Sequence, residues 1–429
     1  MPDRPSPPQS HVRTTVLFPA DLAGWPDGSP LYGYAHPDTG QTLVLDSCGN
    51  QPPRHQPRAV LLGWLEPQAT GNDELAAADA PSLVVRRDGE LLRFWLDGQP
   101  CQAQPYDLES ALFSRHTCLL EERRLQDAGV IICGCGSVGG LAALELARSG
   151  VGRFLLIDPD LLSLENLCRH PCGLADVGRR KVDATAERIH QINPNAVVQV
   201  QATTIERLDP AVVQAFASGA EPSGEAQCAE AARQGGPITL MLACADSRRA
   251  DRHAARLAAA LELPFLAIGL WERAFAGEIF YSHPAEPMPC YGCAFEELSQ
   301  GGQGNHGTGE MGGEERQSLQ ALSGKQESQR RFYATEAALE KLDFQPGLGI
   351  DIAYVTQIGL KLALDLLNLH TPSYAPRLLG KLSQFTLVCN SNDPRLGGER
   401  AEIFSHPLQV TTSIQVGYGQ GCPPCRWRD

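Results

Sequence analysis

At 429 residues and 42% hydrophobic content, the chain is long enough for two or three domains with a sizeable buried core. Its formal net charge of −14 argues against nucleic acid as a partner, because a phosphate-binding surface needs a basic excess. A membrane span is not expected either, since the longest helical apolar stretch, IDIAYVTQIGLKLALDLL, is interrupted by Asp, Gln and Lys.

Residues 1–15 are Pro-rich, lack the apolar core of a signal peptide and are expected to be disordered; together with the lack of a membrane span this leads to the expectation of a cytoplasmic protein. In a reducing compartment the 14 cysteines are not expected to form disulfides, and Cys133, Cys135 and Cys244 sit in apolar runs as small hydrophobes. Residues 16–112 read as a strand-rich first domain. LYGYAHPDTGQTLVLDS predicts two short strands around an Asp-Thr-Gly turn, and SLVVRRDGELLRFWLDG predicts a hairpin around Asp88-Gly89.

The second domain spans 113–429. VIICGCGSVGG predicts a buried strand, a glycine turn and a helix that Gly150 stops, followed by strand FLLID. A helix is expected over DVGRRKVDATAERIHQI, then strands AVVQVQAT and ITLMLAC, helix RRADRHAARLAAALE and strand PFLAIGLW. Strands alternating with helices predict an α/β, doubly wound, Rossmann-like fold with a mainly parallel sheet. Residues 294–345 are rich in Gly and polar residues and predict a mobile loop. Helix IDIAYVTQIGLKLALDLL and strand-like segments QFTLVC, AEIFSH and VTTSIQVGYG complete the domain.

Gly134, Gly136 and Gly139 between strand and helix offer backbone N–H groups and a helix N-terminus to phosphates, so a nucleotide ligand is expected. Asp158, at the end of the second strand, is placed to accept from ribose hydroxyls, as it would be in an NAD enzyme. Asn166, Arg169 and Lys181 follow closely. A diphosphate resting on a helix N-terminus needs no such extra cations, whereas a triphosphate that loses its diphosphate does, because charge builds on the β- and γ-oxygens. Solvated helix-end charge is the ordinary reading of either cation alone. Asp246, after strand ITLMLAC, is suited to Mg²⁺ beside phosphate oxygens, or to capping the next helix, or to both. Cys290-Tyr-Gly-Cys293 and Cys422-Pro-Pro-Cys425 each have the spacing that lets two thiolates reach one metal.

In this order, GCGSVGG, LIDPD, ENLCRH, GRRK, ACADS, CYGC and CPPC resemble the adenylating superfamily of ThiF/MoeB-type proteins and ubiquitin-activating enzymes over roughly residues 113 to 429. The resemblance implies ATP and Mg²⁺ as cofactors and assigns nucleotide contacts to Gly134, Gly136, Asp158, Asn166, Arg169, Lys181 and Asp246. The family's Asn-Leu-x-Arg-Gln stands here as Asn166-Leu167-Cys168-Arg169-His170. Phe113-Ser114-Arg115-His116 is similar to the segment whose arginine reaches the other subunit's ATP, which implies a homodimer with Arg115 acting in trans. Cys290, Cys293, Cys422 and Cys425 fall where the family keeps a structural Zn²⁺.

No cysteine occurs between Cys293 and Cys389, where thioester-forming members keep theirs. Either the reaction stops at the adenylate, or another thiol serves, or Ala334 stands in place of a cysteine. Cys168, Cys172, Cys228 and Cys389 are fallback candidates, each with an ordinary structural reading. In the first domain, AVLLGWLEP and AAADAPSLVV resemble the metal-dependent deubiquitinase (JAB/MPN) fold without a recoverable zinc site, so substrate docking is expected there rather than peptidase activity.

The reading that follows is ATP-dependent activation of the C-terminal carboxylate of a ubiquitin-like protein, with pyrophosphate released and a conjugating enzyme or acceptor next in line. The extra domain and the long loop favour a bacterial ubiquitin-like conjugation system, and the net charge suits a basic partner tail or face. Adenylation of a sulfur-carrier protein in cofactor biosynthesis, an NAD-dependent oxidoreductase and a non-enzymatic scaffold remain the alternatives.

Overall fold

The computed structural model describes residues 15–36, 41–45, 58–67, 83–89, 91–116, 119, 122–219, 238–271, 274, 276–294, 347–370, 377–389, 410–414 and 416–418. Two compact units divide the chain, Met1–Arg115 and His116–Asp429.

In the first unit, strands β1 (Thr15–Pro19), β2 (Pro30–Ala35), β3 (Thr42–Val44), β4 (Val60–Glu66), β5 (Leu83–Asp88), β6 (Leu91–Leu96), β7 (Gln99–Pro100) and β8 (Gln102–Tyr106) form an eight-stranded sheet in the order β7-β6-β5-β4-β2-β3-β1-β8. Both predicted strand pairs are antiparallel neighbours, β2 with β3 and β5 with β6. Gly89 turns the second hairpin at φ 65°, a left-handed conformation that glycine adopts without strain. The sheet is mixed: β1 runs parallel to both β3 and β8, and β4 parallel to β5. Val16, Leu22, Trp25, Leu31, Leu65, Leu83 and Phe94 bury its apolar side. Thr15, within the segment expected to be disordered, already belongs to β1. A short helix, α1 (Leu108–Phe113), and a 3₁₀ turn, Ser114–His116, lead out of the unit.

The second unit opens with α2 (Glu122–Asp127) and a sheet whose parallel part comprises β9 (Gly129–Cys133), β10 (Arg153–Ile157), β11 (Val197–Gln201), β12 (Thr239–Ala243) and β13 (Phe265–Leu270). Antiparallel β14 (Ala276–Ser282), β15 (Phe385–Cys389) and β16 (Val410–Ile414) extend it, giving the order β11-β10-β9-β12-β13-β14-β15-β16. Every residue of β9, β12 and β15 is buried, the consequence of covering both faces of a sheet.

The strand period of two sorts these residues into two cores. Val130, Ile132, Phe154, Leu156, Leu240 and Leu242 face α3 (Ser137–Arg148), α4 (Lys181–Ile192) and a long later helix, Gly349–Leu367. Ile131, Cys133, Leu155, Ile157, Met241 and Ala243 face α5 (Pro210–Ala217) and α6 (Arg248–Ala260). The long helix is α7.

The fold differs from the sequence reading in three places. The helix expected over 176–192 starts only at Lys181, because Gly178 turns the chain at φ 86° and a 3₁₀ turn occupies Leu174–Asp176. Parallel β-strands need a crossover, and α5 supplies one after β11; its signal was Asp209 as N-cap, accepting from Ala211 N–H at 2.9 Å, followed by Pro210 at the first helical position. β14 was missed, and AEIFSH lies outside the described residues. Phe154 is fully buried beneath α3 and α4, so Phe154→Ala should cost about 3–5 kcal/mol in denaturant unfolding of the second unit.

Candidate active site

The sheet changes direction of winding at β9, with β10 and β11 on one side and β12 and β13 on the other. Ligands of open α/β sheets bind at such a point, beyond the carboxyl ends of the strands. A cleft of about 730 Å³ opens there. Its lining brings together Gly134 and Gly136 after β9, Asp158 and Asp160 after β10, Asn166, Arg169 and His170 from the following turns, Lys181 from α4, and Asp246 after β12.

The glycine turn is built by contact. Gly134 has φ 94°, and a Cβ on Gly139 would lie 1.8 Å from the Gly134 carbonyl oxygen, so the helix could not approach its strand with any larger residue. Gly136 caps α3, and a Cβ there would meet nothing within 4 Å: that space belongs to the cleft.

Asp158 is buried and holds the turn together. One carboxylate oxygen accepts from Cys135 N–H at 2.7 Å and the other from Asp160 N–H at 2.8 Å. Burial raises its pKa, against the downward pull of those N–H groups and of Lys181. Each oxygen keeps a further lone pair for a ligand hydroxyl.

His170, which stands where the family motif has Gln, supports the same turn. Its Nδ1 accepts from Cys172 N–H at 3.1 Å, which assigns the proton to Nε2, and Nε2–H then donates to Cys135 O at 2.9 Å. Burial, the main cause, lowers its pKa and keeps the ring neutral. In the motif itself this histidine shows only as a replacement of Gln that spares Asn166 and Arg169.

Lys181 Nζ pairs with Asp160 Oδ2 at 2.8 Å. The lysine is the first residue of α4, where the helix dipole disfavours a cation, and Asp160 offsets that cost. Asn166 accepts from Ser163 N–H at 3.1 Å through Oδ1, which fixes the direction of its amide. The expected helix-capping role of Asp246 falls instead to Ser247, whose side chain accepts from Ala250 N–H at 3.4 Å. Asp246 is therefore an exposed carboxylate at the cleft with no capping duty.

Arg115 lies exposed in the 3₁₀ turn that ends the first unit, whereas the cleft is lined entirely by the second. Cys290 and Cys293 Sγ stand 3.7 Å apart; Cys422 and Cys425 lie outside the described residues. Among the fallback thiols, Cys389 is buried, and burial is the main reason that Cys172 is pushed up to about 11. Cys168 is exposed, and Cys228 and Ala334 lie outside the described residues.

Next to the part of the cleft lined by Ala250 and Trp271 is a buried polar group that the sequence did not reveal. Glu278 on β14 accepts from Trp271 Nε1–H at 2.9 Å and pairs with Arg248 at 2.9 Å. Beside them, one turn further along α6, Asp251 is buried with Oδ1 unsatisfied. Burial first, then the charge of Glu278, pushes its carboxyl up to about 8.

The ThiF family model matches residues 110–391. The ubiquitin-like modifier-activating enzyme 5 of Drosophila mojavensis is 28% identical over 202 residues, covering 46% of this chain and 47% of that protein. Its counterpart from Aedes aegypti is 27% identical over 202 residues, covering 46% and 47%. The chain thus spans about half the length of the curated relatives it matches. Among solved structures, E. coli MccB with ATP aligns with a TM-score of 0.45 and 16% identity, over 73% of this chain and 74% of that one.

The buried acid yields a pH prediction. Between the ordinary aspartate value of 3.8 and about 8, folded Asp251 keeps a proton that the unfolded chain has released. Its contribution to stability is therefore full below that interval and declines as pH rises through it. Asp251→Asn should flatten the stability profile across this range; an unchanged slope in denaturant titrations would show that the carboxyl titrates normally.

Proposed function

The chain belongs to the ThiF family, and on that premise we propose that it activates the C-terminal carboxylate of a ubiquitin-like protein by adenylation. One carboxylate oxygen attacks the α-phosphorus of ATP, the bond to the bridging oxygen breaks, and pyrophosphate leaves with that electron pair. The observation that carries this reading is the convergence of the glycine turn, Asp158, Arg169, Lys181 and Asp246 on one cleft. Its volume of about 730 Å³ falls within the roughly 300–1,000 Å³ common for ligand pockets.

In this mechanism the turn and the N-terminus of α3 seat the phosphates, and Asp158 accepts from the ribose hydroxyls. Arg169 and Lys181 stabilise charge on the departing oxygens, with Lys181 exchanging Asp160 for phosphate. Asn166 completes the phosphate contacts. The Asp246 carboxylate, exposed and free of the helix cap, suits a hard divalent cation, and Mg²⁺ held there would neutralise phosphate charge. Arg115 is assigned to the partner's site in a homodimer. The first unit is assigned to substrate docking, and a conjugating enzyme in a bacterial cytoplasmic pathway to the next step. An NAD-dependent reaction leaves Arg169, Lys181 and Asp246 without a shared task. A sulfur-carrier substrate would use the same chemistry.

Zinc fits the cysteines that are described. Two thiolates about 2.3 Å from one tetrahedral Zn²⁺ stand about 3.8 Å apart, and Cys290 and Cys293 are 3.7 Å apart. With Cys422 and Cys425 the set would close a structural site.

The activation reading is tested by ATP–pyrophosphate exchange in the presence of a small ubiquitin-like protein from the same organism. Exchange is expected in the native protein and should fall by about a thousandfold in Asp246→Ala, with its melting temperature retained. Full exchange in that variant would remove Asp246 from the site, and no exchange in the native protein would remove the reaction. The zinc assignment predicts one equivalent of metal per chain and a lower melting temperature after chelation. Metal content below about half an equivalent in fresh protein would count against it.

A further inference from the structure

Outside the cleft, one side of α6 carries a concentration of positive charge among the described residues. Arg249, Arg252, His253 and Arg256 recur at the spacing that places residues on a single helix face. The opposite face, Ala250, Asp251, Ala254 and Ala258, is buried. The basic face, with Arg248 and Glu206, lines a hollow of about 560 Å³. Glu206 also lines the cleft, and Ser247, the cap of α6, lies in the cleft wall, so the two depressions are neighbours.

This concentration of charge works against the fold. Arg248, Arg249 and Arg252 occupy the first turns of a helix, at the end whose dipole disfavours cations, and like charges three and four residues apart repel. Local compensation is small. Arg248 is engaged by Glu278 at 2.9 Å, and Arg249 approaches Glu206 only at 3.9 Å with 87% of its side chain exposed. Arg252 and Arg256 form no ion pair among the described residues, and Arg252 Nε is buried without a partner. In a chain of net charge −14, a local cationic stripe beside the cleft is not a consequence of bulk composition.

We propose that this stripe docks an acidic segment of the protein substrate, next to the tail whose carboxylate enters the cleft. The inference rests on the activation reading and adds to it the chemistry of the partner: carboxylates spaced along an extended segment, received by arginine forks. It also reverses the expectation, drawn from net charge alone, of a basic partner face. Contact along the stripe would hold the segment while its last residues reach the α-phosphate position.

The test measures fluorescence anisotropy of a fluorescein-labelled hexaglutamate peptide with a free C-terminus, using the full chain without nucleotide. The native protein should bind it in low salt and release it as salt rises. R249E/R256E, both at exposed positions, should weaken binding by about tenfold or more, and R249K/R256K should retain most of it. Melting temperatures of both variants should match the native value. Absence of peptide binding, or equal binding by R249E/R256E, overturns the proposal. So does tighter binding of a labelled single-stranded DNA of equal charge, which would reassign the stripe to nucleic acid. ATP–pyrophosphate exchange is scored separately. Exchange without peptide binding removes the stripe alone, whereas peptide binding without exchange removes the activation reading and, with it, the assignment of the segment to a substrate.

Discussion

The second unit depends on how closely one helix approaches one strand. At Gly139, α3 comes so near the end of β9 that any side chain would collide with the Gly134 carbonyl. That approach sets where α3 begins, and so where its free N–H groups point. It also leaves the space above Gly136 open. Asp158 and His170 then bind the two sides of Cys135, its N–H and its carbonyl, and fix the turn against β10 and the loop that follows. A turn held at so many points is preorganised, so little reorganisation would be needed to receive a ligand there.

The charges around that turn are balanced without being neutralised. Lys181 is held by Asp160, Asp158 by backbone N–H groups, and Asp246 stands exposed at the rim. Each of these contacts lies at the carboxyl edge of the sheet, and none is needed to form the two apolar cores. Stability and chemistry are thus separated in space: apart from Arg153 and Thr239 at the starts of β10 and β12, the strands β9, β10 and β12 are apolar, and the polar groups of the cleft follow their carboxyl ends. The buried Glu278–Arg248–Trp271 group with Asp251 is the exception. It links the base of α6 to β14, and places the start of the basic face on an anchored arginine.

How much of this was legible in the sequence depends on the range of the forces involved. The strand–turn–helix around Gly134, the hairpin at Gly89 and the end of α3 at Gly150 are local, and left-handed glycines with flanking apolar runs suffice to specify them. Spacing alone brought out Cys290 with Cys293, because a two-residue interval lets two thiolates reach one metal where the chain turns, as it does in the helical turn over residues 291–294. Helix α5 was missed although Asp209-Pro210 marked its start, since its apolar run is short and helix and strand periods are hard to separate over so few residues.

The sequence by itself determined the class of fold, the glycine turn and the residue types available to a nucleotide, because each follows from local backbone preference and from burial of apolar strands on two faces. The tertiary structure alone decided which of those residues meet. Asp160 finds Lys181 across twenty intervening positions, His170 closes on Cys135, Ser247 takes the cap from Asp246, and Glu278 reaches Arg248 from another strand. The reason is physical: a charge or hydrogen-bonding group carries no information about its partner until the packing of the sheet has fixed the distance between them.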